Sequence, residues 1–170
     1  MNHAFANLTV IHHPLIQHKL TLMRMEETKS GLFRQLLGEI TLLMGYELTK
    51  DFPTQNIKIR TPMGETIGQV FDDHEVSIIP ILRAGLGMAD ALRQLIPTAN
   101  EGHIGLYRDP VTHLPIEYYV KLPAVLNQFF ILVDPMLATG HSAIKAVEVL
   151  LEHGVDRKNI RFLSLIAVPE

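Results

Sequence analysis

The chain has 170 residues, of which 47% are hydrophobic and 19% charged. That composition is typical of one globular domain and excludes disordered, collagen-like and low-complexity chains. A net charge of −3 argues against general affinity for nucleic acid or for an anionic membrane surface, so an anionic ligand needs a local site. The chain has no cysteine, no apolar run of membrane-spanning length and no leader-like N-terminus, so we expect a cytoplasmic protein.

Helical periodicity is the main pattern of the N-terminal third. Apolar residues recur at helical spacing over residues 33–44, which predicts a helix with Ser30 as its N-cap and residues 51–53 as its stop. We expect its apolar face to be core, with an oligomer contact as the alternative. Alternating residues on both sides of the turn at 62–64 predict a small β-hairpin between residues 57 and 71.

From residue 76 onward the chain alternates between strand and helix signals. Near-continuous apolar runs predict buried strands at residues 76–82, 104–107, 129–133 and 160–168. Helices are predicted at 86–95 and 142–153, with Gly154 as a left-handed C-terminal cap of the second. This order indicates an α/β fold with a parallel sheet, in which ligands bind beyond the carboxyl ends of the strands.

The segment 131–143 carries the strongest functional signal. An apolar strand ends in Asp134, a loop of small and hydroxyl residues follows, and a helix begins. Free N–H groups at a helix start attract phosphate, Gly140 lets the backbone approach it, and Thr139 and Ser142 add hydroxyl donors. Since Asp134 can accept hydrogen bonds from sugar hydroxyls, a ribose 5-phosphate site is predicted. The alternative is an ordinary strand-to-helix turn capped by Thr139 or Ser142.

Arg83 follows another strand and precedes two glycines, Gly85 and Gly87, that open a helix. The spacing partly resembles a dinucleotide-binding fingerprint, but Asp90 occupies the position of its third glycine. Arg83 with free backbone amides could instead face an anion such as pyrophosphate, or it could be a solvated loop cation.

Arg108 directly follows the strand predicted at 104–107 and begins a long polar turn that returns through residues 117–121. Such a β-ribbon can extend over a ligand as a lid, with Arg108 and Lys121 as its cations, although ribbon cations are often merely solvated. The nine histidines lack metal-ligand spacing, and Ser142 has no nucleophile elbow around it. Neither a dedicated metal site nor a serine hydrolase is therefore predicted.

Five groups of segments together resemble one known family: residues 13–20, 33–37 with 46–49, 80–88, 107–108 and 133–143. Their order and spacing over nearly the whole chain are similar to those of uracil phosphoribosyltransferases, and the run Val-Asp-Pro-Met-Leu-Ala-Thr-Gly at 133–140 is the most specific. The resemblance implies a type I phosphoribosyltransferase core with N-terminal helices and a β-hairpin arm. It also implies a homo-oligomer, expected to be a dimer.

The implied reaction joins uracil to the ribose 5-phosphate of phosphoribosyl pyrophosphate, giving UMP and pyrophosphate in pyrimidine salvage. Mg²⁺ would arrive with the pyrophosphate substrate, and Arg108 and Asp134 would be the catalytic residues. The substrate-binding residues implied by the resemblance are Arg83, Arg108, Asp134, Pro135, Met136, Leu137, Ala138, Thr139, Gly140, His141 and Ser142.

The chain departs from the family at two places. His141 stands where the family usually has a second glycine, and the family continues past Glu170 with a Gly-Asp-Ala segment that recognises uracil. We therefore expect a single domain over residues 1–170, truncated at its C-terminus. If Glu170 is the end of the protein, we expect it to bind phosphoribosyl pyrophosphate without efficient UMP synthesis. The alternative functions are a noncatalytic phosphoribosyl pyrophosphate or nucleotide binding module and an NAD-dependent enzyme.

Overall fold

The structure is a computed structural model, and it describes residues 7–71, 75–112, 114–124 and 128–168. His113, in the predicted ribbon turn, and Glu170, at the expected truncation point, lie outside these ranges. The four helices in the described ranges are α1 (Pro14–Arg24), α2 (Ser30–Leu48), α3 (Leu86–Leu95) and α4 (His141–Glu152). None of them has both the length and the apolar character that crossing a bilayer demands.

Ten strands accompany these helices in the described part of the chain. They are β1 (Gln55–Thr61), β2 (Gly64–Val70), β3 (Val76–Leu82), β4 (Asn100–Glu101), β5 (His103–Arg108), β6 (Pro115–Lys121), β7 (Phe129–Val133), β8 (Met136–Leu137), β9 (Ile160–Leu163) and β10 (Ile166–Ala167). A short 3₁₀ turn, Arg157–Asn159, precedes β9.

The central sheet has the strand order β6-β5-β3-β7-β9, with β4 also paired to β3. Strands β5, β3, β7 and β9 run parallel, and β6 runs antiparallel to β5. From β3 the chain first goes to β5 on one side, and then returns to place β7 on the other side. The strand order therefore reverses between β3 and β7, and ligands in open α/β sheets bind in the crevice at such a point.

Helices cover both faces of this sheet, because alternate residues of the central strands point to opposite sides. On one face, Ile78 and Ile131 join a core formed with α1, α2 and α3. On the other face, Ile79 and Phe130 pack with the buried side of α4. These findings confirm the predicted α/β architecture with a mostly parallel sheet.

Most of the predicted elements are confirmed. Strands β3 and β7 and helix α3 have the predicted bounds, and Gly154 has the left-handed conformation expected after α4, with φ 85°. The apolar face of α2 is core through Leu36, Leu37 and Ile40.

Two local predictions are wrong. Ser30 is the first residue of α2, and Lys29 precedes it as N-cap without a side-chain bond. The strand predicted at 160–168 is two strands, because the chain leaves the central sheet at Ser164 and pairs again with β8. The Ser164 hydroxyl donates to the Ile166 carbonyl oxygen over 3.0 Å, which closes the bend between β9 and β10.

The predicted hairpin is present as the pair β1–β2, which forms a two-stranded sheet of its own. Its turn is closed by Gly64 at φ 132° and by the Thr61 hydroxyl, which donates to the Gly64 carbonyl oxygen. Nearly all residues of both strands are exposed, including Ile57, Ile59 and Ile67. An isolated two-stranded ribbon is only marginally stable in water. In this single chain, these apolar side chains of the described ribbon remain exposed to solvent.

Candidate functional site

Asp134 directly follows the carboxyl end of β7, at the point where the strand order reverses. It lines a small pocket between the end of β5, the loop after β7 and the start of α4. The lining residues are Arg108, Asp134, Met136, Leu137, Ala138, Gly140, Ser142 and Ala143. The pocket therefore combines one carboxylate, one guanidinium and a loop of small residues, which is a set of groups suited to a sugar phosphate.

Burial in this pocket changes the acidity of Asp134. Desolvation disfavours the charged carboxylate and raises the pKa of Asp134 from 3.8 to about 6, and the nearby Arg108 guanidinium opposes that rise. A ligand that donates hydrogen bonds to the carboxylate would replace the water that burial removes. Perturbed carboxyl groups in a cleft are common at functional sites, for this electrostatic reason.

The first part of the loop after β7 is held by main-chain hydrogen bonds. The Asp134 N–H donates to the Leu163 carbonyl oxygen over 3.2 Å, and the Pro135 carbonyl oxygen accepts from the N–H groups of Leu165 and Ile166. The Val168 N–H donates to the Leu137 carbonyl oxygen over 3.0 Å. Since its own N–H is engaged, Asp134 offers a ligand acceptor groups only, of which the carboxylate carries the charge.

The second part of the loop has free donors. The backbone N–H groups of residues 138–143 donate no hydrogen bond to any residue that the structure describes. Gly140 is the N-cap of α4 with φ 75°, a left-handed conformation that favours glycine, and it makes no side-chain capping bond. The alternative in which Thr139 or Ser142 caps the helix is therefore wrong. These amides lie at the positive end of the helix dipole, where phosphate binds.

Arg83 is exposed at the carboxyl end of β3, after a cis peptide bond between Leu82 and Arg83. Its loop touches the end of β7, because a Cβ atom placed on Gly85 would lie 2.4 Å from the Val133 carbonyl oxygen. The contact brings the Arg83 loop beside Asp134 on the same sheet edge. Arg83 itself does not line the pocket that contains Asp134.

Arg108 reaches the pocket from the end of β5, at the base of the predicted β5–β6 ribbon. The turn that follows is organised by Asp109, whose carboxylate accepts the N–H groups of Val111 and Thr112 and the Thr112 hydroxyl. The two backbone hydrogen bonds, first from Thr112 and then from Val111, lower the pKa of Asp109. Residues 109–112 therefore form a hydrogen-bonded turn beyond Arg108.

The structure gathers seven of the eleven predicted substrate-binding residues around this pocket, the seven being Arg108, Asp134, Met136, Leu137, Ala138, Gly140 and Ser142. Four do not line it: Arg83, Pro135, Thr139 and His141. Ala143 lines the pocket and was missing from the predicted set, although its place in the first turn of α4 could have signalled it.

Comparisons with known proteins give a consistent result. The family model described as uracil phosphoribosyltransferase matches residues 10–170. Proteins named uracil phosphoribosyltransferase from Ralstonia pickettii and Rhodospirillum centenum are 52% and 54% identical to the chain over 166 residues. Each alignment covers 98% of this chain, and 76% and 77% of the respective relative.

Two solved structures resemble the chain in fold. A structure of an Aquifex aeolicus protein matches with a TM-score of 0.88 at 31% identity, covering 95% of this chain and 76% of that one. A hypoxanthine-guanine phosphoribosyltransferase from Bacillus anthracis matches with a TM-score of 0.56 at 14% identity, covering 80% of this chain and 69% of that one. The second match concerns the fold alone.

Proposed function

The chain belongs to the uracil phosphoribosyltransferase family, and from that premise we propose how its residues perform the family's reaction. The enzyme transfers the phosphoribosyl group of phosphoribosyl pyrophosphate to uracil, giving UMP and pyrophosphate for pyrimidine salvage. The observation that carries the proposed site is the half-buried Asp134 carboxylate beside Arg108, next to a helix start with free N–H groups. This arrangement of a carboxylate, a guanidinium and free N–H groups suits a ligand with sugar hydroxyls at one end and a phosphate at the other.

In the transfer, the bond from ribose C1 to a pyrophosphate oxygen breaks, a bond from C1 to uracil nitrogen forms, and that nitrogen loses its proton. Positive charge develops on the sugar and negative charge on the leaving group, so positioning and electrostatic stabilisation can lower the barrier without a protein nucleophile. Asp134 accepts hydrogen bonds from the ribose hydroxyls. Arg108 and the more remote Arg83 favour the departing pyrophosphate.

The free N–H groups of residues 138–143 bind the 5-phosphate, with the hydroxyl groups of Thr139 and Ser142 as further donors. The pyrophosphate of the substrate would carry Mg²⁺, which would neutralise part of the negative charge on the leaving group. Asp134 is the single carboxylate of the pocket, and the described residues contain no cluster of three or more potential metal-ligating side chains. Such a site suits an ion held mainly by phosphate oxygens and water, as Mg²⁺ usually is.

A pyrophosphate-release assay tests the proposed function. Uracil-dependent release of pyrophosphate from Mg²⁺-phosphoribosyl pyrophosphate, with UMP formed in equal amount, is the expected result. Binding of phosphoribosyl pyrophosphate without uracil-dependent release would instead support the noncatalytic binding module. Cytosine and hypoxanthine serve as control bases, because a site that takes every base equally would contradict the assignment of uracil.

Replacement of Arg108 by alanine separates the leaving-group contact from the rest of the site. Arg108→Ala should weaken binding of phosphoribosyl pyrophosphate about tenfold or more, because hydrogen bonds to charged groups contribute roughly 1.5–3 kcal/mol. Binding of UMP, which has no pyrophosphate, should change much less. Calorimetric titration of both ligands measures the difference, and equal losses would show that Arg108 has only a structural role.

His141 is expected to tune the phosphate subsite, since it is the exposed first residue of α4. Its imidazole can donate a hydrogen bond to a bound phosphate, so His141→Gly should weaken binding of phosphoribosyl pyrophosphate about two- to tenfold, the effect of roughly one hydrogen bond. Calorimetric titrations of both proteins at one pH measure the difference. Equal affinities would remove His141 from phosphate binding.

We propose that the protein is a homodimer located in the cytoplasm. The exposed apolar side chains of the β1–β2 ribbon support an oligomer, because a second subunit could cover them. The absence of cysteine is compatible with the cytoplasm, where thiols stay reduced.

A further inference from the structure

The chain between Leu163 and Val168 runs alongside the loop that carries Asp134. We propose that residues 163–168 act as a positioning strap, whose main-chain groups hold Asp134 and the phosphate-binding loop in the geometry that binds phosphoribosyl pyrophosphate. The proposal rests on the proposed function for the identity of the ligand. It assigns a role in substrate binding to a segment that does not line the pocket.

The contacts between the strap and the loop are regular. Ile166 pairs with Met136 and Ala167 pairs with Leu137 in the parallel ladder of β8 and β10. Two further hydrogen bonds flank this ladder. The Leu163 carbonyl oxygen accepts from the Asp134 N–H, and the Val168 N–H donates to the Leu137 carbonyl oxygen. The held part of the loop, residues 134–137, is therefore bonded to the strap from its first residue to its last.

The strap itself is anchored in the domain. Leu163 and Leu165 are buried in the core beneath α1, α2 and α3. Between them, the Ser164 hydroxyl closes the bend by donating to the Ile166 carbonyl oxygen. Movement of the loop relative to the core would therefore require the strap bonds to break, which is how a two-residue ladder can keep Asp134 in place.

The outer end of the strap contributes little to the core. Ala167 and Val168 are exposed, with Val168 at 48% of its full accessibility. Loss of the Val168 N–H should thus affect the loop much more than the stability of the domain. This difference separates a positioning role from a purely structural one.

Proline substitutions provide a matched test, because proline removes a backbone donor and is tolerated where an edge strand's N–H faces solvent. Val168→Pro removes the donor to Leu137. Ala167→Pro places the same ring one residue earlier. The N–H groups of Ile166 and Val168 donate to the loop, so in the alternating pattern of a parallel ladder the Ala167 N–H between them points away from β8. Val168→Ala controls for the lost side chain.

In Val168→Pro we expect about three- to tenfold weaker binding of phosphoribosyl pyrophosphate, the effect of roughly one hydrogen bond. Hydrogen exchange at the Asp134 and Ile166 amides should accelerate, and the midpoint of thermal unfolding should stay within about 2 °C of wild type. The two control variants should behave like wild type. Ser164→Ala, which frees the bend, should shift binding and exchange in the same direction if Val168→Pro does not fold.

The positioning role of the strap would be overturned if Val168→Pro and Ala167→Pro bound phosphoribosyl pyrophosphate with equal affinity and showed equal hydrogen exchange at the Asp134 and Ile166 amides. A fall in unfolding midpoint that accounts for the whole loss of binding would also overturn it. Failure of the proposed function gives a different result: the wild-type protein would not bind phosphoribosyl pyrophosphate at all. The exchange measurement, which needs no ligand, would then still decide whether the strap holds the loop.

Discussion

Replacing Asp134 by asparagine is expected to weaken phosphoribosyl pyrophosphate binding about tenfold to a hundredfold and to reduce UMP synthesis at least as much. The substitution keeps the shape of the side chain but turns a charged acceptor of ribose hydroxyl bonds into a neutral amide, and such bonds contribute roughly 1.5–3 kcal/mol. Calorimetry and initial-rate kinetics measure the two effects. Asp109→Asn is the matched control, because it removes an exposed charge next to Arg108 whose hydrogen bonds to described residues stay within its own turn. Unchanged affinity in Asp134→Asn would refute a sugar contact.

The same variant should be more stable than wild type when no ligand is bound. Burial raises the pKa of Asp134 to about 6, above the unfolded value of 3.8, so between these values the folded protein retains a proton that the unfolded chain has released. Wild-type stability therefore falls as pH rises through this window and stays reduced above it. The asparagine side chain does not titrate, so thermal unfolding of Asp134→Asn should show a higher midpoint at pH 8 and a shrinking difference toward pH 4. A constant difference across that range would contradict the raised pKa.

Gly85→Ala is expected to cause the second large effect, a loss of about 3 kcal/mol in the free energy of unfolding together with loss of activity. Its Cβ atom would lie 2.4 Å from the Val133 carbonyl oxygen and 2.9 Å from the Ile81 nitrogen. Both atoms belong to main chain in neighbouring strands of the central sheet, so neither can move without distorting the sheet. Any relaxation would push the Arg83 loop away from Asp134. Activity should therefore fall further than the folded fraction does.

Gly87→Ala is the control for this experiment, since it lies two residues away on the same loop and helix. The Cβ atom there would meet the Cδ2 atom of Leu37 at 2.8 Å, and a leucine side chain can rotate to relieve the contact. Chemical denaturation should show a clearly smaller loss for Gly87→Ala than for Gly85→Ala. Similar losses for the two variants would show that the backbone contact with Val133 is not the constraint.

The central elements of the fold could be predicted because each has a strong local pattern. Strands β3 and β7 are near-continuous apolar runs, buried on both faces, and α3 begins between two glycines, Gly85 as its N-cap and Gly87 in its first turn. The break between β9 and β10 could not be predicted in this way, because the residues there remain apolar on both sides of Ser164. Its cause is a tertiary contact, the pairing of residues 166–167 with β8.

The site shows the same division between local and nonlocal information. Asp134 and Gly140 could be placed from the strand–loop–helix pattern, since a carboxylate at a strand end and a glycine at a helix start have local reasons to be there. The partner of the Asp134 N–H lies at residue 163, far along the chain, and nothing near Asp134 indicates it. The position of Arg83 outside the pocket likewise depends on how the β3 loop packs against β7.

The bonding of the Asp134 loop to residues 163–168 has a consequence for synthesis of the protein. Translation proceeds from the N-terminus, so β3, β7 and the loop leave the ribosome before the strap that holds the loop exists. During that interval the carbonyl oxygens of Pro135 and Leu137 and the N–H of Asp134 lack their native partners. The substrate pocket can therefore mature only after β9 and β10 emerge, and ribosome-bound chains that stop before residue 163 should bind phosphoribosyl pyrophosphate poorly.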